Sequence, residues 1–314
     1  TRAAIELNLF TAIADGKRTA ADIAKACNAS ERGVRILCDF LTVVGLLHKE
    51  GAQWSLTPDT QLFLNQKSPA YMGGTIGFML HPFITGCFDN LTEVVRHGTT
   101  QRQDDGSLAP EHPVWVEFAK AMAPLSGVMA PQIAKQVDPE ANKPLRILDI
   151  AASHGNYGLA FAKQNPQARI TALDWANVLE VTRANATQAG VIDRYEFKPG
   201  SVHEVDLGGP YDVILLTNFL HHLDEKGIVE LLKRLTTALA PDGVIATVEF
   251  VPNEDRISPA APARFSMVML ASTPSGDAYT QSQYQRMFKD AGLGRVEFAG
   301  LPPSFQTLIL SRRG

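Results

Sequence analysis

Leu145-Arg146-Ile147-Leu148-Asp149-Ile150 runs into Ala151-Ala152-Ser153-His154-Gly155-Asn156-Tyr157-Gly158, and the reading of this stretch decides the fold. The first six residues are mostly apolar and rich in β-branched and leucyl side chains, as expected of a strand covered on both faces. The residues after Ile150 are small, and a helix is predicted beyond them. A strand, a tight turn and a helix open an α/β sheet, whose ligands bind at the carboxyl ends of its strands. Small side chains at such a turn let a ligand touch the backbone. The turn is not the G-x-G-x-x-G of a dinucleotide fingerprint, so the turn alone does not specify a nucleotide.

Toward the C-terminus the same rhythm repeats. Arg169–Asp174, Tyr195–Pro199, Tyr211–Thr217 and Gly243–Val251 read as further strands with helices between them, the pattern of a mostly parallel, doubly wound sheet. Gly294–Ala299 and Phe305–Leu310 are strand-like and are joined by the compact turn Leu301-Pro302-Pro303-Ser304. No crossover helix fits there, so this pair is predicted to be antiparallel, an ending that nicotinamide-binding domains do not ordinarily have. Asp174, closing the second strand, can accept both ribose hydroxyls of an adenosine-containing cofactor. The plainer reading of Asp174 is an N-cap for a helix beginning near Asn177.

Toward the N-terminus the pattern is helical. Ile5, Leu9, Phe10 and Ile13 fall at helical spacing from Ala3 to Ala14, and a short helix follows from Thr19 to Ala26. Ser30 is a natural N-cap for a helix carrying Val34, Leu37, Leu41 and Val44 on one face and ending at Gly45. Leu46–Glu50 and Gln53–Pro58 are strand-like runs about Gly51, which completes a winged-helix pattern. Residues 70–98 and 110–137 are predicted to be helical, with a loop over Gln101–Pro113. The expected division is 1–100, 101–135 for a linking loop and helices, and 136–314 for the α/β domain.

Composition narrows the function. A chain of 314 residues with 45% hydrophobic residues exceeds what one core usually organises. A net charge of −4 provides no general attraction for nucleic acid or an anionic membrane surface. The three cysteines, Cys27, Cys38 and Cys87, match no disulfide framework or zinc spacing, and no metal site is expected. With no long apolar run and no basic-to-apolar leader, a cytoplasmic location is expected. A ligand-sensing transcription regulator is the rival reading from another class. Its recognition helix would be Glu31–Val44, whose charges are balanced and whose face is apolar, which argues against groove contact.

Five segments in order, Asp149–Gly155, Leu173-Asp174-Trp175, Asn218–His222, Ala240–Gly243 and Val248–Pro252, resemble the motifs of class I S-adenosylmethionine-dependent methyltransferases. Nearly the whole chain resembles the caffeic acid and bacterial polyketide O-methyltransferase family. That resemblance implies a Rossmann-like sheet of seven strands with a C-terminal antiparallel hairpin, preceded by a helical winged-helix dimerisation domain. It also implies a homodimer, S-adenosylmethionine as cofactor, and methyl transfer to a small hydrophobic, hydroxylated aromatic or polyketide-like acceptor. By the same resemblance Asp149 and the loop Ala151, Ser153 and Gly155 hold the methionine part, Asp174 the ribose, and Ser201 and Val202 the adenine; Thr217 stands where the family often has Lys. Trp175 offers a stacking contact, against plain packing on the next helix.

His221 matches the family's catalytic histidine and Glu249 the acid that orients it; the plainer readings are a surface helix start and a solvated strand end. A base with a pKa near neutrality suits removal of the acceptor's proton. His222 stands where the family usually has an acid, and Ala278 where it has a second catalytic acid, with Asp277 one position away. That departure leaves C-methylation, or a relative that uses the cofactor without transferring methyl, as alternatives. Tyr279 is a candidate hydrogen-bond donor or a packing residue. Trp115, Phe118, Met122, Phe265, Met269 and His222 are the candidate acceptor-pocket residues, from a pool that also includes Phe78, Met79, Phe83 and Met267. Ala151 tolerates the tight turn if φ stays negative, so cofactor binding is expected to survive the replacement of the family's glycines.

Overall fold

The computed structural model describes residues 1–102 and 111–314, so most of the expected loop Gln101–Pro113 lies outside the described residues. The chain forms two units, Thr1–Thr85 and Gly86–Gly314.

In the first unit the expected Ala3–Ala14 helix is two helices, α1 (Arg2–Glu6) and α2 (Leu9–Ala14), parted at Asn8 with φ of 55°. Asn enters the left-handed region more cheaply than other side chains. Its carboxamide and the Thr11 hydroxyl are both engaged by Gln66, a tertiary tie that local spacing could not reveal. Then come α3 (Ala20–Ala26), capped by Thr19, and α4 (Glu31–Val43), capped by Ser30. Gly45 (φ 76°) ends α4, and Leu46 N–H returns to the Leu41 carbonyl at 2.8 Å, as in a Schellman turn. Strands β1 (Leu47–Glu50) and β2 (Gln53–Leu56) pair antiparallel. The second stops before Pro58, because Thr57 caps α5 (Pro58–Phe63). Helices α6 (Gly73–Met79) and α7 (Pro82–Thr85) complete the unit. Its core gathers Leu9, Phe10, Ile23, Val34, Cys38, Leu41 and Trp54.

The second unit begins with α8 (Leu91–His97) and α9 (Val114–Val137) and continues as an alternating α/β chain: β3 (Leu145–Ile150), α10 (Asn156–Gln164), β4 (Ala168–Asp174), α11 (Ala176–Gln188), β5 (Tyr195–Pro199), β6 (Tyr211–Thr217), α12 (Glu225–Ala238), β7 (Leu239–Glu249), α13 (Ala260–Ser272), α14 (Gln281–Asp290), β8 (Arg295–Gly300) and β9 (Thr307–Arg312). The seven strands lie in the order β5-β4-β3-β6-β7-β9-β8. The first five are parallel, and β9 and β8 run antiparallel, as the two-strand ending required. Strand β7 starts earlier than expected, at Leu239 opposite Tyr211, with a register shift that absorbs Ala240–Gly243. It ends at Glu249, two residues short of expectation, where β9 begins opposite it at Thr307. Phe305, expected in the last strand, is exposed in the turn.

Strands β3 and β6 bury both faces. Ile147 and Val213 pack with Ile133, Tyr157 and Phe161 on one side. Leu148 and Ile214 pack with Leu231, Leu235 and Phe288 on the other. Strand order reverses between β3 and β6, and the carboxyl ends of the strands at such a point are where open α/β sheets bind ligands. No helix among the described residues is long and apolar enough to cross a membrane.

Candidate active site

Register brings the candidate cofactor residues into one row. Ile150 pairs with Leu173 and with Leu216, so the next residues along, Ala151, Asp174 and Thr217, lie side by side at the carboxyl edge. The turn after β3 is built from left-handed residues: Ala151 at φ 51°, Ser153 at 54° and Gly155 at 74°. The condition of negative φ under which alanine sits easily in this turn is therefore not met at Ala151. A non-glycine residue in this region costs about 1–2 kcal/mol, and the surroundings must hold it there.

Several tertiary hydrogen bonds do so. Ser153 N–H donates to Asp174 Oδ2 at 2.8 Å and Ala152 N–H to the Leu173 carbonyl at 3.2 Å. Thr182 Oγ1 donates to the Ser153 carbonyl at 2.7 Å, and Asn185 Nδ2 to that of His154 at 2.8 Å. At Gly155 a Cβ would stand 2.6 Å from the Thr182 methyl, so the turn closes on α11 only with glycine there.

Asp149 lies beneath the turn, fully buried. One oxygen accepts from Gly158 N–H at 3.1 Å, and Oδ1 has no partner among the described residues. Burial pushes its carboxyl up to about 7, against the pull of the Gly158 N–H and with Asp174 adding repulsion. Asp174 is likewise raised, to about 6, by burial opposed by the Ser153 and Trp175 N–H groups. It does not cap a helix near Asn177: α11 begins at Ala176 with Trp175 in the N-cap position, and Asp174 Oδ1 accepts from Trp175 N–H at 2.7 Å. Trp175 itself is half-buried. Beyond β5, Ser201 Oγ accepts from His203 N–H at 3.2 Å, and buried Val202 packs in the core with Leu173 and Leu207.

The second cluster hangs from β6 and β7. Asn218 leaves β6 with φ of 54°, its N–H bonded to the Val248 carbonyl at 2.8 Å and its side chain engaged by Gln306. The chain then wraps Glu249, which is fully buried rather than solvated. Glu249 Oε1 accepts from Phe219 N–H at 3.0 Å and Leu220 N–H at 2.8 Å, with His221 N–H at 3.4 Å. Glu249 Oε2 lies 2.6 Å from His221 Nδ1. His221 is only 5% exposed, in a 3-10 turn over Leu220–His222 and not at a surface helix start. So many donors suit an acceptor-only carboxylate, which places the imidazole proton on Nδ1 and leaves Nε2 a bare lone pair.

Phe265 meets His221 edge to face, ring centres 4.9 Å apart, and Phe250 packs on Phe265 at 4.3 Å. The His222 ring lies 4.3 Å from that of His221. Of the other pocket candidates, Trp115 and Phe118 pack edge to face on α9, beside half-buried Met122, and Met269 is buried on α13. Met267 is exposed. Ala278 is buried without a carboxylate nearby on its own loop: Asp277 turns to Arg256, and the Tyr279 hydroxyl donates to the Leu223 carbonyl at 2.6 Å. Tyr279 thus anchors a loop. Sequence reading missed Asn218 and Gly276; a Cβ on Gly276 would stand 2.1 Å from the His221 carbonyl oxygen. The signal for Asn218 was its side chain, which tolerates the left-handed turn. Among the described residues no group of three or more His, Cys, Asp or Glu side chains is disposed to hold a metal ion.

This fold and site define a methyltransferase-type α/β domain, and comparison with known proteins assigns its family. Residues 88–294 match the O-methyltransferase domain and residues 2–66 the O-methyltransferase dimerisation domain. The chain belongs to the O-methyltransferase family. It is 27% identical to 3-hydroxy-5-methyl-1-naphthoate 3-O-methyltransferase of Streptomyces sahachiroi, over 94% of this chain and 85% of that one. A solved structure from Nostoc punctiforme PCC 73102, described as a candidate O-methyltransferase, is 47% identical, with a TM-score of 0.93 over 98% of this chain and 93% of that one. Human N-acetylserotonin methyltransferase, solved in complex with S-adenosylmethionine, shares the fold at 22% identity, with a TM-score of 0.83 over 100% of this chain and 92% of that one.

Proposed function

We propose that this enzyme methylates an oxygen of a small hydrophobic, hydroxylated aromatic or polyketide-like acceptor from S-adenosylmethionine, with His221 as general base. The observation that carries the reading is the buried 2.6 Å contact between His221 Nδ1 and Glu249 Oε2, at the carboxyl edge of the sheet.

The residues fit the cofactor. Each Asp174 oxygen takes one backbone donor and keeps a lone pair for a ribose hydroxyl. Ala151, Ser153 and Gly155 present backbone with little side chain in the way, above Asp149, and Ser153 Oγ is buried without a partner among the described residues. In this reading those residues hold the methionine part, Ser201 and Val202 flank the adenine, and Trp175 and Thr217 border the pocket. When bound, S-adenosylmethionine supplies a methyl group already activated by its sulfonium. What remains for the protein is alignment and removal of one proton. His221 Nε2 takes the acceptor's proton, and Glu249 holds the ring in the right tautomer and offsets the imidazolium charge. Phe265 and Phe250 wall the base with apolar surface, which suits a flat acceptor. The naphthoate specificity named for the Streptomyces relative supports an aromatic acceptor.

In the same reading residues 1–100 serve dimerisation, 101–135 link, and 136–314 hold the cofactor. A homodimer is supported by the dimerisation-domain match and by α4, which with its C-cap Val44 leaves Ile36, Phe40, Val43 and Val44 at 43, 55, 85 and 48% exposure along one face. Three free cysteines suit the reducing cytoplasm.

Replacing His221 with Ala tests the base directly. Calorimetric binding of S-adenosylmethionine should persist while methyl transfer falls by about 100-fold or more. Unchanged turnover would remove His221 from the mechanism.

A further inference from the structure

Helix α13 carries Phe265 against His221 and also bears buried Met269, so the two ends of this helix decide where the apolar wall of the base stands. Its entry loop, 250–259, leaves β7 directly after Glu249, and its own polar groups fix its shape. Asn253 N–H donates to the Ser258 carbonyl at 2.7 Å, and Asn253 Nδ2 to Ser258 Oγ at 2.8 Å. Asp255 Oδ1 accepts from the N–H groups of Ile257 and Ser258, both at 3.0 Å. Held between them, Arg256 adopts a φ of 58°, a left-handed conformation uncommon for a residue with a side chain, and its N–H returns to the Asn253 carbonyl at 2.9 Å.

From there the guanidinium reaches the segment that follows the same helix. Nη2 pairs with Asp277 Oδ2, and Nη1 donates to Gln283 Oε1 at 3.0 Å. Glu254 adds a second tie, accepting from Ser282 N–H at 2.9 Å and from Ser282 Oγ at 2.7 Å. Asp277 is fixed in turn, its Oδ1 accepting from Ala278 N–H at 2.8 Å. One residue earlier, Gly276 lies on the turn that carries the base: an added Cβ would stand 2.1 Å from the His221 carbonyl oxygen and 3.0 Å from His222 Cα. The Arg256–Asp277 pair therefore closes a ring that runs from Glu249 through α13 and back to the His221 backbone. We infer that Arg256 is a positioning residue for the methyl transfer, clasping the two ends of α13 together so that Phe265 and the His221 turn keep a fixed spacing. This inference rests on the proposed role of His221 as base. The paired side chains are 42% and 33% exposed, so the contact adds little to stability. Its effect falls on alignment, to which the rate of a positioned reaction is more sensitive. With the clasp open, α13 keeps the cluster of Leu270 and Ala271 with Cys87 and Val94 near its C-terminal end, while the half bearing Phe265 is left to its packing on Phe250.

The test measures methyl transfer to the neutral naphthol that the wild type turns over best, on the full chain at saturating S-adenosylmethionine, for Arg256→Ala, Asp277→Asn and the two combined. Rates are taken per cofactor site, counted by calorimetry with S-adenosylhomocysteine. Asn at 277 keeps an acceptor for Ala278 N–H and turns an amide toward Arg256, so it removes the pair and spares the loop. Each single variant should lose about fivefold in kcat, the upper end for one partly exposed ion pair, with cofactor affinity unchanged. The double variant should lose no more than either single one, because both changes remove the same contact. Raising salt from about 0.05 to 0.5 M should slow the wild type and leave the variants level, since screening weakens an exposed pair. An unchanged kcat in the single variants, losses that multiply in the double variant, or losses matched by weaker cofactor binding overturn the assignment and leave the role of His221 standing. A wild type that binds S-adenosylhomocysteine but methylates no phenol overturns both.

Discussion

Exchange of Glu249 for Gln separates orientation of His221 from the folding of its loop. The carboxylate does two jobs: Oε1 collects the N–H groups of Phe219, Leu220 and His221, while Oε2 holds His221 Nδ1. A Gln side chain has the same shape but only one acceptor oxygen. Facing its NH2 toward the backbone would set it against up to three donors, so the carbonyl stays there and the amide turns to His221. An amide N–H opposite Nδ1 forces the proton onto Nε2, the atom that must be bare. Loss of the correct tautomer and of the counter-charge removes most of the value of a general base, about 10³ in kcat or roughly 4 kcal/mol. Glu249→Ala instead strands the backbone donors in a buried site at about 1–3 kcal/mol each, a large part of a typical total stability. Methyl-transfer rates, melting temperatures and S-adenosylhomocysteine affinities for both variants complete the assay. A Glu249→Gln enzyme with near-normal melting and affinity but a kcat within tenfold of the wild type would refute this reasoning.

Asp174 should impose a pH dependence on cofactor affinity: its carboxyl is raised to about 6, and ribose hydroxyls bond the ionised form, so affinity climbs from pH 5 and levels off near 7. Calorimetry on Asp174→Asn should find weaker binding and a flat profile; a sloping one would move the titration elsewhere. Asp149, raised to about 7, favours the fold in its neutral form, so its contribution is complete below about pH 4 and is lost as pH rises through 7, of order 4 kcal/mol. Denaturation of Asp149→Asn against wild type should therefore show a gap moving in the variant's favour between pH 4.5 and 7.5, and a pH-independent gap would contradict it. Asp at both Phe40 and Val43 should yield monomers by light scattering at micromolar protein, and a persisting dimer would clear that face of α4.

Three strands, Leu145–Ile150, Tyr195–Pro199 and Tyr211–Thr217, were legible to the residue because breakers flank them: Pro144 before the first, Gly200 after the second, Pro210 before the third. The same rule misplaced the start of β7, since Pro241-Asp242-Gly243 reads as a turn while a register shift carries it within the strand. The break at Asn8 depends on Gln66, and the left-handed turn at Ala151 and Ser153 depends on Asp174, Thr182 and Asn185. No local window contains those partners. His221 and Glu249 could be named as candidates from their motifs. That one oxygen of Glu249 would gather successive backbone N–H groups could not be, because it follows from the φ of a single residue, Asn218.

Strand β9 does not close the sheet at its rim; it lies between β7 and β8, and Gln306 just before it engages Asn218 at the root of the His221 turn. During synthesis, β7 emerges with one flank open and must wait for residues 307–312 to pair with it. Until then the nascent chain carries an exposed strand edge, the kind of surface on which chains associate wrongly. The turn that carries His221 is likewise unbraced until Gln306 and the strand after it have been made.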